Sequence, residues 1–198
     1  GTEPSLDSQV YQNPVRVKKS MTVKSAYFED GKLKSAVSSQ EFTVSKTTGK
    51  KITLEQPPSE NYSFGGAFTL VDGIIGNTRQ LGKTWLGFQG KDVVATIDLG
   101  QKTGFSEVYF NTLENKGSWI HLAKFAQVFV SDDGRNFKMI KEIGTQEILD
   151  SKGKITLNVG NQTSKYIKLI IENAGIIPAG NPGADSKAWL FVDEIGVN

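Results

Sequence analysis

The sequence predicts an all-β protein, and three observations carry that prediction. Apolar residues come in short runs, not at helical spacing. The runs are rich in Val, Ile, Phe, Tyr and Thr, the residues that fit a pleated, half-buried surface. Turn-forming pairs stand between them: Asp30-Gly31, Thr48-Gly49, Asp133-Gly134 and Lys152-Gly153, each expected to close a hairpin. The composition agrees, with 21 Gly and 11 Phe in 198 residues.

Taken in order, the first expected strands are 15–17, 21–28 and 41–44, short runs among Lys, Ser and other small polar residues. Residues 51–54 alternate Ile52 and Leu54 with polar neighbours. Longer runs follow at 93–99 and 105–113, then 125–130, 137–143, 155–159, 166–171 and 189–197. Strands spaced in this way without intervening helices indicate a sandwich or barrel. The composition shifts near residue 45, where Ser45-Lys46-Thr47-Thr48-Gly49 reads as a junction. Two domains are therefore expected, over 1–45 and 46–198. The first is small for independent folding.

Composition excludes several function classes. Lys and Arg number 23 against 21 Asp and Glu, a net charge of +2 that gives no strong pull toward nucleic acid or an anionic membrane. Absence of cysteine removes thiolate chemistry, disulfides and cysteine-bound zinc. A single histidine, His121, excludes a two-histidine metal site. No apolar run approaches the roughly 20 residues of a membrane span, and no signal peptide is visible. Gly82-Lys83-Thr84 lacks the upstream glycine of a phosphate loop. No two carboxylates are marked out to face each other across a cleft, as glycoside hydrolysis requires.

Two stretches resemble known families. Gly1-Thr2-Glu3-Pro4-Ser5, Tyr11-Gln12-Asn13-Pro14-Val15, Thr22-Val23-Lys24-Ser25-Ala26 and Phe42-Thr43-Val44 resemble the end of the small β-sandwich that follows the catalytic barrel of bacterial β-hexosaminidases and chitobiases. The chain opens inside that family's Asp-Gly-Thr-Glu-Pro turn, so it is expected to be a piece of a longer protein whose first strands precede Gly1. The second stretch holds Val71-Asp72-Gly73-Ile74-Ile75-Gly76 and Trp85-Leu86-Gly87-Phe88-Gln89-Gly90-Lys91-Asp92. Ala95-Thr96-Ile97-Asp98-Leu99-Gly100, Val130-Ser131-Asp132-Asp133-Gly134-Arg135-Asn136-Phe137 and Ala188-Trp189-Leu190-Phe191-Val192-Asp193-Glu194-Ile195 follow in order. Together they resemble the coagulation-factor type C, or discoidin, domain, and more closely the family-32 carbohydrate-binding modules of bacterial glycoside hydrolases. The resemblance implies a partial immunoglobulin/fibronectin-like sandwich followed by a galactose-binding-like jelly roll with ligand loops at one end. The domain order matches the tail of family-20 β-N-acetylhexosaminidases. The implied partners are a terminal galactose-, GalNAc- or GlcNAc-type glycan and the parent enzyme's catalytic domain. The implied location is periplasmic, outer-membrane-associated or secreted.

Asp72-Gly73 is a turn pair that could present carbonyls around one carboxylate, with Asn77 five residues on. Ca²⁺ takes six to eight oxygens from carboxylates and carbonyls. The resemblance assigns a structural Ca²⁺ to Asp72, the Ile74 carbonyl, Asn77 and Glu194, although the family more often has Thr or Ser where Asn77 stands. A sugar needs an aromatic face and polar groups for its hydroxyls. The candidates on loops are Trp119 and His121 after the turn at 114–118, Arg79 and Trp85 after the calcium motif, and Asn181 in the 176–186 loop. Trp85 and Trp189 also lie within fold motifs, which suits a core role. Gly180-Asn181-Pro182-Gly183 stands where related modules often read Trp-His-Pro-Gly.

The reading is a non-catalytic carbohydrate-binding region that holds its enzyme near a glycan. The alternative is a structural spacer or dimer contact with a degenerate sugar face. A protein- or lipid-binding discoidin role would use Ile176-Ile177 or Leu86 and Phe88 at loop tips, and the charge of +2 argues against it.

Overall fold

The alternating runs become strands because each can turn one face to an apolar interior and the other to water. The computed structural model describes residues 1–198, in two units: Gly1–Val44 and Ser45–Asn198. In the first, β1 (Met21–Ser25), β2 (Phe28–Glu29), β3 (Lys32–Leu33) and β4 (Ser38–Phe42) form two antiparallel pairs, β1 with β4 and β2 with β3. Asp30-Gly31 makes the β2–β3 turn, as expected. Residues 15–17 are not a strand: three residues after Pro14 find no ladder partner. No residue of 1–44 is fully buried.

The second unit holds β5 (Lys51–Leu54), α1 (Leu81–Thr84), β6 (Leu86–Gln89), β7 (Val93–Thr112), β8 (Ala126–Ser131), β9 (Lys138–Ile143), α2 (Thr145–Asp150), β10 (Lys154–Ile171) and β11 (Trp189–Val197). Their order is β6-β11-β7-β10-β8-β9, with β5 on β7. Two expected pairs of strands prove to be single long ones. The 93–99 and 105–113 runs merge into β7, and 155–159 and 166–171 merge into β10. The polar, glycine-containing stretches between them bend the ladder without ending it, with register shifts between Asn158 and Gln162 and between Ser164 and Tyr166.

This bending builds the sandwich. The first half of β7 pairs with β5 and with the end of β10, while its second half pairs with β11 and with the start of β10. Each long strand thus serves both layers. Val93, Ala95, Ile97 and Leu99 point inward alongside Phe110, Leu157, Ile167 and Leu169. The sheet topology and core are those of a jelly-roll β-sandwich.

Asp133-Gly134 closes the β8–β9 hairpin as expected. Thr48-Gly49 and Lys152-Gly153 are turns but join no paired strands. The latter connects α2 to β10. Helix α2 itself escapes the periodicity because six residues are too few to show a repeat. It is anchored by fully buried Ile148 and by the Glu147 carboxylate, which accepts the Gly144 N–H at 2.9 Å. No helix is long and apolar enough to cross a membrane.

A smaller apolar cluster lies apart from the main core: Trp85, Ile120 and Phe191, with Tyr62, Leu81, Leu113 and Trp189 against them. Tyr62 meets Phe191 edge-on at 4.8 Å and Trp189 at 5.3 Å. These residues come from four separate chain segments. The cluster is the floor on which the loops of that region rest.

Candidate functional site

On that floor, the 113–122 loop folds back on itself. Asn115 and Ile120 exchange main-chain hydrogen bonds at 2.9 and 3.0 Å around a short 3₁₀ turn, Lys116–Ser118. Trp119 ends the turn with φ +63°, a left-handed conformation that is rare for a bulky side chain. The loop is then tied to the start of β11. The Trp189 N–H donates to the Trp119 carbonyl at 2.9 Å, and the His121 N–H donates to the Trp189 carbonyl at 3.0 Å. These bonds fix the backbone on both sides of Ile120, whose side chain is buried in the floor. Trp119 is left 39 % exposed. His121 is 8 % exposed, and its Nε2 is buried without a hydrogen-bond partner. Burial holds this imidazole below its ordinary pKa; the Lys116 charge adds to that, and Glu114 opposes it. A buried ring nitrogen left unpaired is costly.

The 176–188 loop touches this one. It is closed by main-chain bonds from Ile177 to Ser186, Asp185 to Ile177 and Ala188 to Gly175. Gly183 lies against the Trp119 indole so closely that a Cβ there would stand 2.4 Å from Nε1. Asn181 belongs to this loop, but its side-chain amide donates to its own loop's Pro178 carbonyl at 3.3 Å.

The other two candidates part company. Trp85 is 5 % exposed and packed on Gly76, so it supports the site from below and offers no face to a sugar. The expectation of a loop ligand at Trp85 is corrected accordingly. Its place one residue before β6 puts it inside the sandwich wall. Arg79 is exposed on the Thr78–Gln80 turn, and its side chain makes no hydrogen bond or ion pair within the protein.

A second constellation ties the 72–76 loop to β11. The Asp72 carboxylate accepts the Ile74 N–H at 2.7 Å. Glu194 accepts the Gly73 N–H at 3.0 Å through Oε2, while its Oε1 is buried without a partner. Asp193 accepts the Gly76 N–H at 2.6 Å and the Asn111 amide at 3.0 Å. Burial pushes the Glu194 carboxyl up to about 9, with the Asp72 charge adding to it. Burial likewise pushes Asp72 and Asp193 up to about 6 each. Successive strand residues normally face opposite ways. The register shift in β11 between Val192 and Ile195 lets both acids turn to one loop. Asp193 and Asn111 were not marked by the sequence as partners of this loop. The acid pair Asp193-Glu194 inside an apolar strand is the one signal that could have marked them.

No three carboxylate or imidazole side chains converge on one point. A hard cation here would need main-chain carbonyls beside Asp72 and Glu194, which is ordinary for Ca²⁺. The unpaired Glu194 Oε1 next to a second carboxylate fits such an ion. Asn77 fits less directly, being exposed with its Oδ1 accepting the Arg79 N–H at 2.8 Å. Elsewhere, Asp133 is held well below the usual carboxylate range by the N–H groups of Asn136 and Arg135, and serves its own turn.

The F5/8 type C domain family model matches residues 51–183, and the Fn3 associated family model matches residues 1–42. No curated protein matches the chain by sequence. Among solved structures, the module CpGH89CBM32-5 of Clostridium perfringens, in complex with GalNAc-β-1,3-galactose, is 19 % identical with a TM-score of 0.53, covering 78 % of this chain and 99 % of its own. A fucose-binding module of Streptococcus pneumoniae is 17 % identical with a TM-score of 0.54, covering 86 % and 98 %. Chitosan-binding module 1 of a chitosanase/glucanase from Paenibacillus sp. IK-5 is 15 % identical with a TM-score of 0.52, covering 78 % and 98 %. At these identities the likeness establishes the fold.

Proposed function

For a chain that belongs to the F5/8 type C domain family, we propose a non-catalytic glycan-binding role, with residues 46–198 as the binding domain and 1–45 as an accessory domain. The observation that carries it is the Trp119 loop. It pairs a half-exposed indole, held in a strained backbone conformation, with a buried imidazole nitrogen lacking a partner two residues on. Trp119 supplies the face for the C–H side of a pyranose, and His121 supplies a hydroxyl contact. Arg79 and Asn181 stand at the margin as further polar contacts. Such a shallow site desolvates few atoms, so affinity is weak, on the order of 0.1–1 mM.

In the finer form of this reading, the chain is the tail of a secreted, periplasmic or outer-membrane-associated β-N-acetylhexosaminidase and holds that enzyme near a terminal Gal-, GalNAc- or GlcNAc-type sugar. Fold relatives solved with or named for glycans support the sugar-holding part of this reading, and the resemblance of residues 1–45 to the sandwich that follows the catalytic barrel of β-hexosaminidases supports the parent enzyme. In the same reading Asp72, Glu194 and the Ile74 carbonyl hold a structural Ca²⁺, with Asn77 at its edge. The ion would neutralise the buried carboxylates and tie the 72–76 loop to β11. The test is a glycan array probed with the chain and with its Trp119→Ala variant. Retention on at least one terminal sugar, lost in the variant, is expected; no retention on any glycan rejects the role.

A second reading, a structural spacer or dimer contact, is favoured by one observation. The Asn181 side chain bonds its own loop, and Gly180-Asn181 replaces the aromatic and imidazole of the related modules. Retention on the array argues against it, and self-association without retention favours it.

A further inference from the structure

We infer that Gly183 is a positioning residue of the glycan site: the bare backbone of the 176–188 loop sets the tilt and exposure of the Trp119 indole. The inference rests on the reading of Trp119 as the sugar platform. An indole has two faces. A Cβ at Gly183 would lie 2.4 Å from Nε1, 2.5 Å from Cε2 and 2.7 Å from Cδ1 of that ring, distances that real Cβ atoms essentially never show. One face of the ring therefore lies against the main chain of Gly183, which leaves the other for a sugar.

Neither partner can yield easily. Trp119 is fixed by its N–H to the Lys116 carbonyl at 3.1 Å and by its carbonyl to the Trp189 N–H at 2.9 Å. Gly183 is fixed by the Ser186 N–H donating to its carbonyl at 3.0 Å, and the loop is closed again between Ile177 and Ser186 at 2.9 Å. The backbone is strained on both sides of the contact, at Trp119 with φ +63° and at Asp185 with φ +67°. Strain of this kind persists where the surroundings over-determine it. The two loops thus act as one binding unit, although 64 residues separate the contact in sequence (119 to 183).

A control lies in the same loop. Gly180 has φ +86° and Gly183 φ +76°, so a side chain at either is strained by backbone conformation alone. A Cβ at Gly180, however, meets nothing within 4 Å. Comparing Gly183→Ala with Gly180→Ala therefore isolates the contact with the ring. The readouts are retention on agarose-bound galactose, GalNAc and GlcNAc, and acrylamide quenching of Trp119 emission, taken as the difference from Trp119→Phe.

Gly183→Ala is expected to change the quenching and to weaken retention about tenfold or more, about 1.4 kcal/mol. Gly180→Ala should leave both as in the unmodified chain. Quenching equal in the two glycine variants overturns the positioning role. A displaced ring with full retention overturns Trp119 as the platform. No retention of the unmodified chain on any of the three sugars rejects a Gal-, GalNAc- or GlcNAc-type ligand, while the quenching still reports on Gly183. Should Gly183→Ala fold poorly, thermal unfolding in a Trp119→Leu background decides. There the substitution should cost no more than Gly180→Ala does, and an undiminished cost refutes the contact.

Discussion

Two loop-built regions of the sandwich solve opposite problems. The Trp119 loop keeps an aromatic ring half in water and holds it there with strained backbone and main-chain bonds. The Asp72–Glu194 region takes charged groups wholly out of water, with Asp193 and Glu194 at 0 % exposure. An open aromatic face suits a ligand that comes and goes, because little is desolvated on either side. Buried carboxylates with an unpaired oxygen suit an ion that stays, because without it they must take up protons to avoid carrying charge in the interior. One strand serves both: Trp189, the first residue of β11, braces the first, and Asp193-Glu194, at its middle, hold the second.

The sharpest way to break this comparison is beneath it. Trp85→Ala should destabilise the second unit by about 3–5 kcal/mol, because Trp85 is part of the floor. Denaturant unfolding with an unchanged midpoint would show that its ring is dispensable, and the division between support and platform would fail.

Next in size is the ion. At a hundredfold excess over Kd, Ca²⁺ should stabilise the fold by about 2.7 kcal/mol, or roughly 5–10 °C in Tm, and Asp72→Ala should remove the response. Melting curves that coincide with and without added Ca²⁺, starting from chelator-dialysed protein, would count against the site. The pH dependence sharpens the same point. Carboxyls pushed up to about 6 at Asp72 and Asp193, and to about 9 at Glu194, keep protons that the unfolded chain releases near pH 4. Their contribution is fully present below pH 4 and is lost as pH rises through 6 toward 9. Chelated protein should therefore lose stability across that window, and Ca²⁺ should flatten the decline. A chelated protein whose Tm rises over pH 5–8 would contradict the assignment.

Smaller again is the platform. Trp119→Ala should cost about 1–3 kcal/mol of glycan binding, enough to make a weak site undetectable, while Tm moves by no more than a few degrees. If this variant unfolds at a much lower temperature, the ring is a structural member like Trp85. The smallest effect is expected at Asn181→Ala, within about 0.5 kcal/mol in stability. A large loss of glycan retention there would promote Asn181 from the margin to the centre of the site.

Much of the fold was legible because strand formation is local. Ile52 and Leu54, or Ile155, Leu157 and Val159, announce a two-residue period within a few positions. The joining of 93–99 to 105–113 was not, since a polar, glycine-bearing stretch reads the same whether it ends a strand or bends one. The candidate site divides similarly. Residue type on a loop pointed to Trp119 and His121. It pointed to Trp85 as well, although Trp85 lies within a fold motif that suits a core role, and the packing of its ring on Gly76 settles that it is buried.

By itself, then, the sequence determined the all-β class, the two families its two domains resemble and the chemical types able to meet a sugar or an ion. These depend on composition, short-range period and ordered motifs. Tertiary structure alone decided how far each tryptophan is exposed, that Gly183 lies against Trp119, and that both Asp193 and Glu194 turn to the 72–76 loop. Each of those facts is a contact between segments far apart in the chain. Contacts of that kind follow from how the layers close on one another, which no local pattern encodes.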